Sequence, residues 1–260
     1  MFLRPLIIAV CLLCLLRPAG AAAPVVLVAE DDWYPYSAER EGRAVGMAVD
    51  IVRAAFAAVG VPLELKSMPY ARCMQAVKQG IELGCFDTLK DDTTRDAYLF
   101  HQRPLFAATI GIYARSDFAG PLSAADLRGR RVGLTNGYTY GDAVEKNAAI
   151  QKDVAPNDLL TMRKLLAGRV EVALIYTRVA DWLQTQHPDL RGRVRQVGVL
   201  LQDGLYVSFS KTHPDAGRVL PLLDRGLAQI RANGTHARIE AEWQRRYPGS
   251  VDSSAESARR

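Results

Sequence analysis

The chain has 260 residues, with 33 basic against 28 acidic side chains for a net charge of +5, and 49% of its residues are hydrophobic. Charges of both signs alternate without a basic block, which leaves no footprint for nucleic acid or a membrane surface. The four histidines (His101, His187, His213, His236) stand far apart and no CxxC occurs, so neither a metal nor a cofactor is expected.

Residues 1–22 read as a secretory signal peptide. Arg4 supplies a positive charge, Leu6 to Leu16 is an apolar run, and small residues follow from Ala19 to Ala23. The apolar run is too short to span a bilayer. Cleavage near Ala22 removes Arg4 and Arg17, lowers the net charge to +3 and sends the mature chain to the periplasm. What remains is long enough for one large domain or two of about 120 residues.

Strands and helices then alternate. Pro24 to Ala29 reads as a strand, and Gly46 to Val59 as a helix with apolar residues at Val49, Ile51, Val52, Ala55 and Phe56. A strand at Pro62 to Lys66, a helix from Tyr70 to Gln79 and short strands at Gly84 to Thr88 and Phe106 to Tyr113 follow. This order argues for a parallel sheet flanked by helices. The pattern restarts with a short helix at Ser123 to Leu127 and a strand at Arg131 to Thr135. After Asn136-Gly137 comes a helix through Glu145, then one from Asn157 to Leu166 with Asn157 as its N-cap. A strand at Val170 to Tyr176, a helix at Thr177 to Gln186 and a strand at Val194 to Leu201 close this unit. Another strand, Leu205 to Phe209, precedes two final helices, Pro214 to Ala232 and Thr235 to Tyr247, in which Trp243 and Tyr247 read as core anchors. Residues 249–260 are polar and expected to be disordered. Cys73 and Cys85 survive cleavage. In an oxidising compartment they either pair or lie buried as two small apolar side chains.

Six stretches, taken together and in order, resemble the family 3 extracellular solute-binding proteins, the polar amino-acid-binding type of ABC transporters. They are Asp32-Trp-Tyr-Pro-Tyr36 with Gly46-Met-Ala-Val-Asp50; Met68-Pro-Tyr-Ala-Arg72 with Gly80; Thr94-Arg95 with Phe100 and Pro104; Arg131 to Thr139; Gly168 to Tyr176; and Gly204 to Lys211. The resemblance covers about residues 25 to 248. It implies an α/β, two-lobed periplasmic binding protein fold, each lobe a mainly parallel sheet flanked by helices, joined by a two-strand hinge. Lobe 1 would comprise 23–115 and 203–248, and lobe 2 116–202. Ligand would bind between the lobes, and hinge closure would trap it.

The resemblance also suggests site residues. Arg95 would grip a ligand carboxylate through its planar guanidinium fork, or else pair with Asp91 or Asp92 at the surface. Tyr36, and less so Trp33, would stack on the ligand from the loop after the first strand, or pack on their own lobe. Phe86 and Thr88, with Asp87 and Lys90 beside them, would supply backbone and hydroxyl contacts. Asn136, Gly137, Tyr138 and Thr139 would present backbone N–H groups to an anion or form an ordinary turn. Arg72 would face the cleft or the solvent. Tyr176 stands where the family commonly has an aspartate for the ligand ammonium, which puts an α-amino acid ligand in doubt and brings in other organic acids.

The resulting expectation is a monomeric periplasmic binding protein without catalysis, taking a small carboxylate-bearing molecule to an ABC permease. A ligand-sensing accessory protein and a periplasmic dehydratase on the same fold are the alternatives.

Overall fold

The computed structural model describes residues 23–247. The expected signal segment, 1–22, and the expected tail, 249–260, lie outside the described residues.

β1 (Val25–Glu30) is an apolar run buried on both faces, as suits a strand inside a parallel sheet. It leads into a small antiparallel sheet of β2 (Asp32–Trp33), β3 (Ser37–Arg40) and β4 (Arg43–Val45). α1 (Met47–Ala58) follows and buries Val49, Ile51, Val52, Ala55 and Phe56, the stripe its spacing predicts. No side chain caps it. The N–H groups of Met47 and Ala48 instead donate to the carbonyls of Pro35 and Tyr36, each at 3.0 Å. These bonds satisfy two donors that a helix start leaves orphaned, and they fix the Trp33–Tyr36 turn. Gly46 permits the approach: its φ is +137°, and a Cβ there would stand 2.2 Å from the Tyr36 carbonyl oxygen.

β5 (Leu63–Met68) pairs parallel with β1, α2 (Tyr70–Lys78) crosses back, and β6 (Gly84–Leu89) pairs parallel with β1 on its other edge. A disulfide joins Cys73 of α2 to Cys85 of β6, with the Cα atoms 6.0 Å apart. Val28, Tyr70, Met74, Val77 and Tyr98 pack around it as a small second core. α3 (Asp92–Ala97) and β7 (Leu99–Phe100) then lead to β8 (Phe106–Arg115).

A second parallel unit is built from β9 (Arg131–Thr135), α4 (Asp142–Glu145), β10 (Gln151–Ala155), α5 (Asp158–Leu166), β11 (Val172–Tyr176) and α6 (Thr177–Gln186). β10 and β11 flank β9. Asn157 caps α5, its side-chain oxygen accepting from Leu160 N–H at 3.0 Å. The chain returns through β12 (Val194–Phe209), and α7 (Ala216–Ala232) and α8 (Thr235–Arg246) pack on α1. Trp243 anchors α8 by donating from Nε1 to Asp50 Oδ2 at 2.8 Å.

The strands form one curled mixed sheet in the order β10-β9-β11-β8-β12-β6-β1-β5, with β7 on the end of β12. β8 and β12 run antiparallel at its centre, β8 pairing onward with β11 and β12 with β6. The fold is thus the expected α/β one, and the parallel units are joined by a hydrogen-bonded two-strand ribbon.

Several elements differ from expectation. The two strands predicted at 194–201 and 205–209 are one, because β8 partners it from Val194 to Leu205 and β6 from Leu205 to Phe209. At the junction Gly204 leaves room for the Pro104 ring, which a Cβ would meet at 2.5 Å. The helix expected between Asn136-Gly137 and Glu145 is a loop followed by four helical residues. β10, largely exposed and polar, carries no alternation and exists through its pairing with β9.

Candidate functional site

In open parallel sheets, ligands bind outside the carboxyl ends of the strands. Here those ends carry Glu30 at the last residue of β1, Tyr70 just past β5 and Tyr176 at the last residue of β11. Asp87 and Leu89 lie on β6, Trp33 on β2, and Tyr138 and Thr139 in the loop after β9. These eight residues converge between the two parallel units on a cavity of about 10 Å³, closed down to room for about one water.

Asp87 owes its aim to a bulge. Tyr206 of β12 faces Thr88, but Ser208 faces Cys85, so Phe86 and Asp87 together oppose Val207. A bulge of this kind re-aims a side chain. Asp87 has φ +77°, a left-handed conformation that Asp and Asn adopt more readily than other side chains but that still carries strain. The residue is 6% exposed, and neither carboxylate oxygen has a hydrogen-bond partner. Burial alone pushes its carboxyl well above the usual carboxylate range.

Glu30 is equally buried and accepts a 2.5 Å hydrogen bond from the Tyr138 hydroxyl, which arrives from the opposite lobe. Burial also pushes the Glu30 carboxyl well up. The Tyr138 hydroxyl opposes that shift, and the negative charges of Asp158, Asp87 and Asp31 add to it. Asp158 accepts from Thr135 Oγ1 at 2.5 Å, and burial raises its carboxyl to about 7. Outside the cavity, Glu30, Asp31, Asp32 and Glu39 line an open groove with Asn136 and Asn157. The aromatic walls pack edge to face: Trp33 against Tyr176 at 4.9 Å, and Tyr70 against Tyr138 at 5.2 Å between ring centroids.

The structure brings Tyr138, Thr139 and Tyr176 to the cavity, together with Asp87 and Trp33. Other candidates stand one layer behind it. Tyr36 is 2% exposed and stacks between Trp33 and Phe106, with centroids at 4.5 and 4.9 Å. Thr88 is fully buried and accepts a 3.1 Å bond from the Tyr70 hydroxyl, so it orients that wall. Phe86 is a core residue. Asn136 borders the outer groove, and Gly137 packs on Ala71 across the lobes. Lys90 lies over the rings of Phe100 and Tyr206. Arg72 faces solvent. Arg95, its side chain 58% exposed, lies outside the cavity lining and pairs with Asp92 at 3.6 Å. Glu30 and Tyr70 were missed by sequence reasoning. A carboxylate ending an apolar strand is the signal that marks the first.

A second set of cross-lobe contacts lies outside the cavity. Tyr34 meets Trp182 of α6 at 4.4 Å between ring centroids, and the Arg40 guanidinium covers both rings at 5.2 and 5.8 Å. The Tyr34 hydroxyl donates to that of Tyr247 at 2.6 Å, which ties the cluster to the end of α8.

Comparison with known proteins agrees with this architecture. Residues 25–246 match the bacterial extracellular solute-binding proteins, family 3. A curated relative, ABC transporter arginine-binding protein 1 of Escherichia coli (strain K12), is 27% identical over 124 residues. That stretch spans 46% of this chain and 49% of the relative, about half of each. Among solved structures, a histidine kinase sensor domain with similarity to periplasmic binding proteins superposes with a TM-score of 0.76 at 20% identity, over 86% of this chain and 96% of its own. An ancestral arginine-binding protein bound to arginine gives 0.73 at 22% identity, over 86% and 99%. At such identities these two likenesses are of fold. The family match over nearly the whole described length goes further: the chain belongs to the family 3 bacterial extracellular solute-binding proteins.

Proposed function

We propose that the protein is an exported, monomeric binding protein, without catalysis, that captures a small positively charged organic solute between its lobes. The solute is an amino acid or amine, and the closed form is read by an ABC-type permease. Asp87 carries this reading: a buried carboxylate, aimed into an aromatic cavity by a bulge, with both oxygens unpartnered. Buried charges are ordinarily paired, and a ligand cation is the partner this geometry suits. Trp33 and the tyrosines add faces for a cation. The negative groove outside the cavity favours entry of cations over anions. The organic acids expected from the sequence fit this charge poorly. Signal cleavage near Ala22 and lobes at 23–115 with 203–248 and at 116–202 belong to the same proposal, and the Cys73–Cys85 disulfide supports export.

A thermal-shift series with amino acids, amines and dicarboxylates tests it. A cation bound only by the native state should stabilise it by about 2.7 kcal/mol at a hundredfold excess over Kd. The shift should grow with pH. Asp87 and Glu30 hold their protons above the usual carboxylate range, and a cation favours the ionised form, so binding expels protons. Affinity therefore rises as pH climbs above the usual carboxylate range and levels off once the carboxyls are ionised. If dicarboxylates alone stabilise the protein, or if cation affinity falls as pH rises, the reading is wrong.

A further inference from the structure

The charge inside and around the cavity says more about the ligand than its sign. Asp87 and Glu30 are carboxylates, and no lysine or arginine lines the cavity. The groove outside it is negative as well. Arg178, the cation on α6 nearest Tyr36, reaches instead towards Met47 Sδ at 4.0 Å. Arg95 lies outside the cavity lining, its side chain exposed beside Asp92 at 3.6 Å. The first turn of α3, whose last turn carries Arg95, is already capped by a carboxylate of its own, Asp91 Oδ1 accepting from Thr94 N–H at 2.9 Å. A ligand carboxylate in this cavity would meet like charges and no counter-ion. Two unpartnered Asp87 oxygens, by contrast, are acceptors that only N–H or O–H donors satisfy.

We propose that the physiological ligand is an N–H-bearing organic cation, a primary amine or guanidine, that carries no carboxylate. Its positive end donates to both oxygens of Asp87 and lies beside Glu30, boxed by Trp33, Tyr70, Tyr138 and Tyr176. This deepens the function proposed above and rests on it. A quaternary ammonium group has no N–H and would leave the Asp87 oxygens unsatisfied, so it binds more weakly than an amine of similar size.

Calorimetric titration of the mature chain with matched pairs tests the inference. Agmatine differs from arginine, and 1,5-diaminopentane from lysine, by the carboxylate alone. In at least one pair the decarboxylated member should bind tenfold or more tighter, and choline should bind more weakly than that amine. If the amino acid of each pair binds as tightly as its amine or tighter, the inference fails while the cationic-solute reading stands. If neither member of either pair binds at millimolar concentration, or if only carboxylic acids lacking an amine bind, both fail. Asp87→Asn supplies the second measurement. It should abolish agmatine binding with the unliganded protein still folding cooperatively, and unchanged agmatine affinity in a folded variant overturns the assignment of Asp87.

Discussion

Asp87→Asn weakens agmatine binding by at least about a hundredfold and, without ligand, leaves the protein more heat-resistant than the parent at pH 8. The first effect follows from removing one partner of a buried charge pair, which costs about 3–5 kcal/mol, at about 1.4 kcal/mol per tenfold in affinity. The second follows from the state of Asp87 before ligand arrives. Its carboxyl is buried and unpartnered, and burial raises its pKa in the folded state. A raised carboxyl contributes stability that is present below its unfolded value, about 3.9, and is lost as pH rises through the folded value. Asparagine has nearly the same shape, tolerates φ +77° and does not titrate. Parent and variant should therefore melt together near pH 4 and separate as pH climbs to 8. Paired melting curves across that range check this. A variant less stable than the parent at both ends would make Asp87 a structural support and not a ligand partner.

Removing the Cys73–Cys85 bridge has the second large effect. The cysteines are 12 residues apart, and closing a loop of that size is worth about 3 kcal/mol. For a chain of this length that corresponds to a fall in Tm of about 6–12 °C in the double alanine variant. The loss should reach the cavity too. The bridge fastens α2, which begins with Tyr70, to β6, which carries Asp87 two residues past Cys85. Those residues form two walls of the site, so agmatine affinity should fall along with stability. Denaturant melts and titrations of the oxidised, reduced and double-alanine proteins measure both. Equal melting points would remove the bridge from the account of stability.

The fold was legible wherever burial follows a period. α1 shows its stripe at helical spacing, and β1 and β11 are apolar runs of strand length. The elements that escaped are those made by partners and not by pattern. β10 is polar and owes its existence to β9, while β2, β3 and β4 are held mainly by one another and by the start of α1. The site divided in the same way. Tyr138, Thr139, Tyr176 and Asp87 stand at strand ends and loops where cleft residues are sought, and the structure lines the cavity with them. Tyr36 and Thr88 sit next to such positions, but alternation along the strand and the stacking of Tyr36 on Phe106 turn them inward. No sequence signal reports the bulge that rotates Asp87 into the cavity, since it is set by the register with β12. For Arg95 the sequence left a choice between a ligand and a surface pairing, and the structure places it beside Asp92.

The Tyr34–Arg40–Trp182 cluster joins the lobes without touching the cavity, and this separates how often the molecule is shut from what it prefers to hold. Where the binding-competent form is a fraction of the population, apparent affinity scales with that fraction, whatever the ligand. Trp182→Ala forfeits its ring contacts with Tyr34 and Tyr247 and a cation–π contact with Arg40, together worth about 1–2 kcal/mol, so every ligand should weaken by about five- to thirtyfold. The ratio between any two ligands should stay fixed. Sensitivity and selectivity would then be adjustable at different residues, the one tuned on α6 and the β2–β3 turn, the other at the bulge in β6.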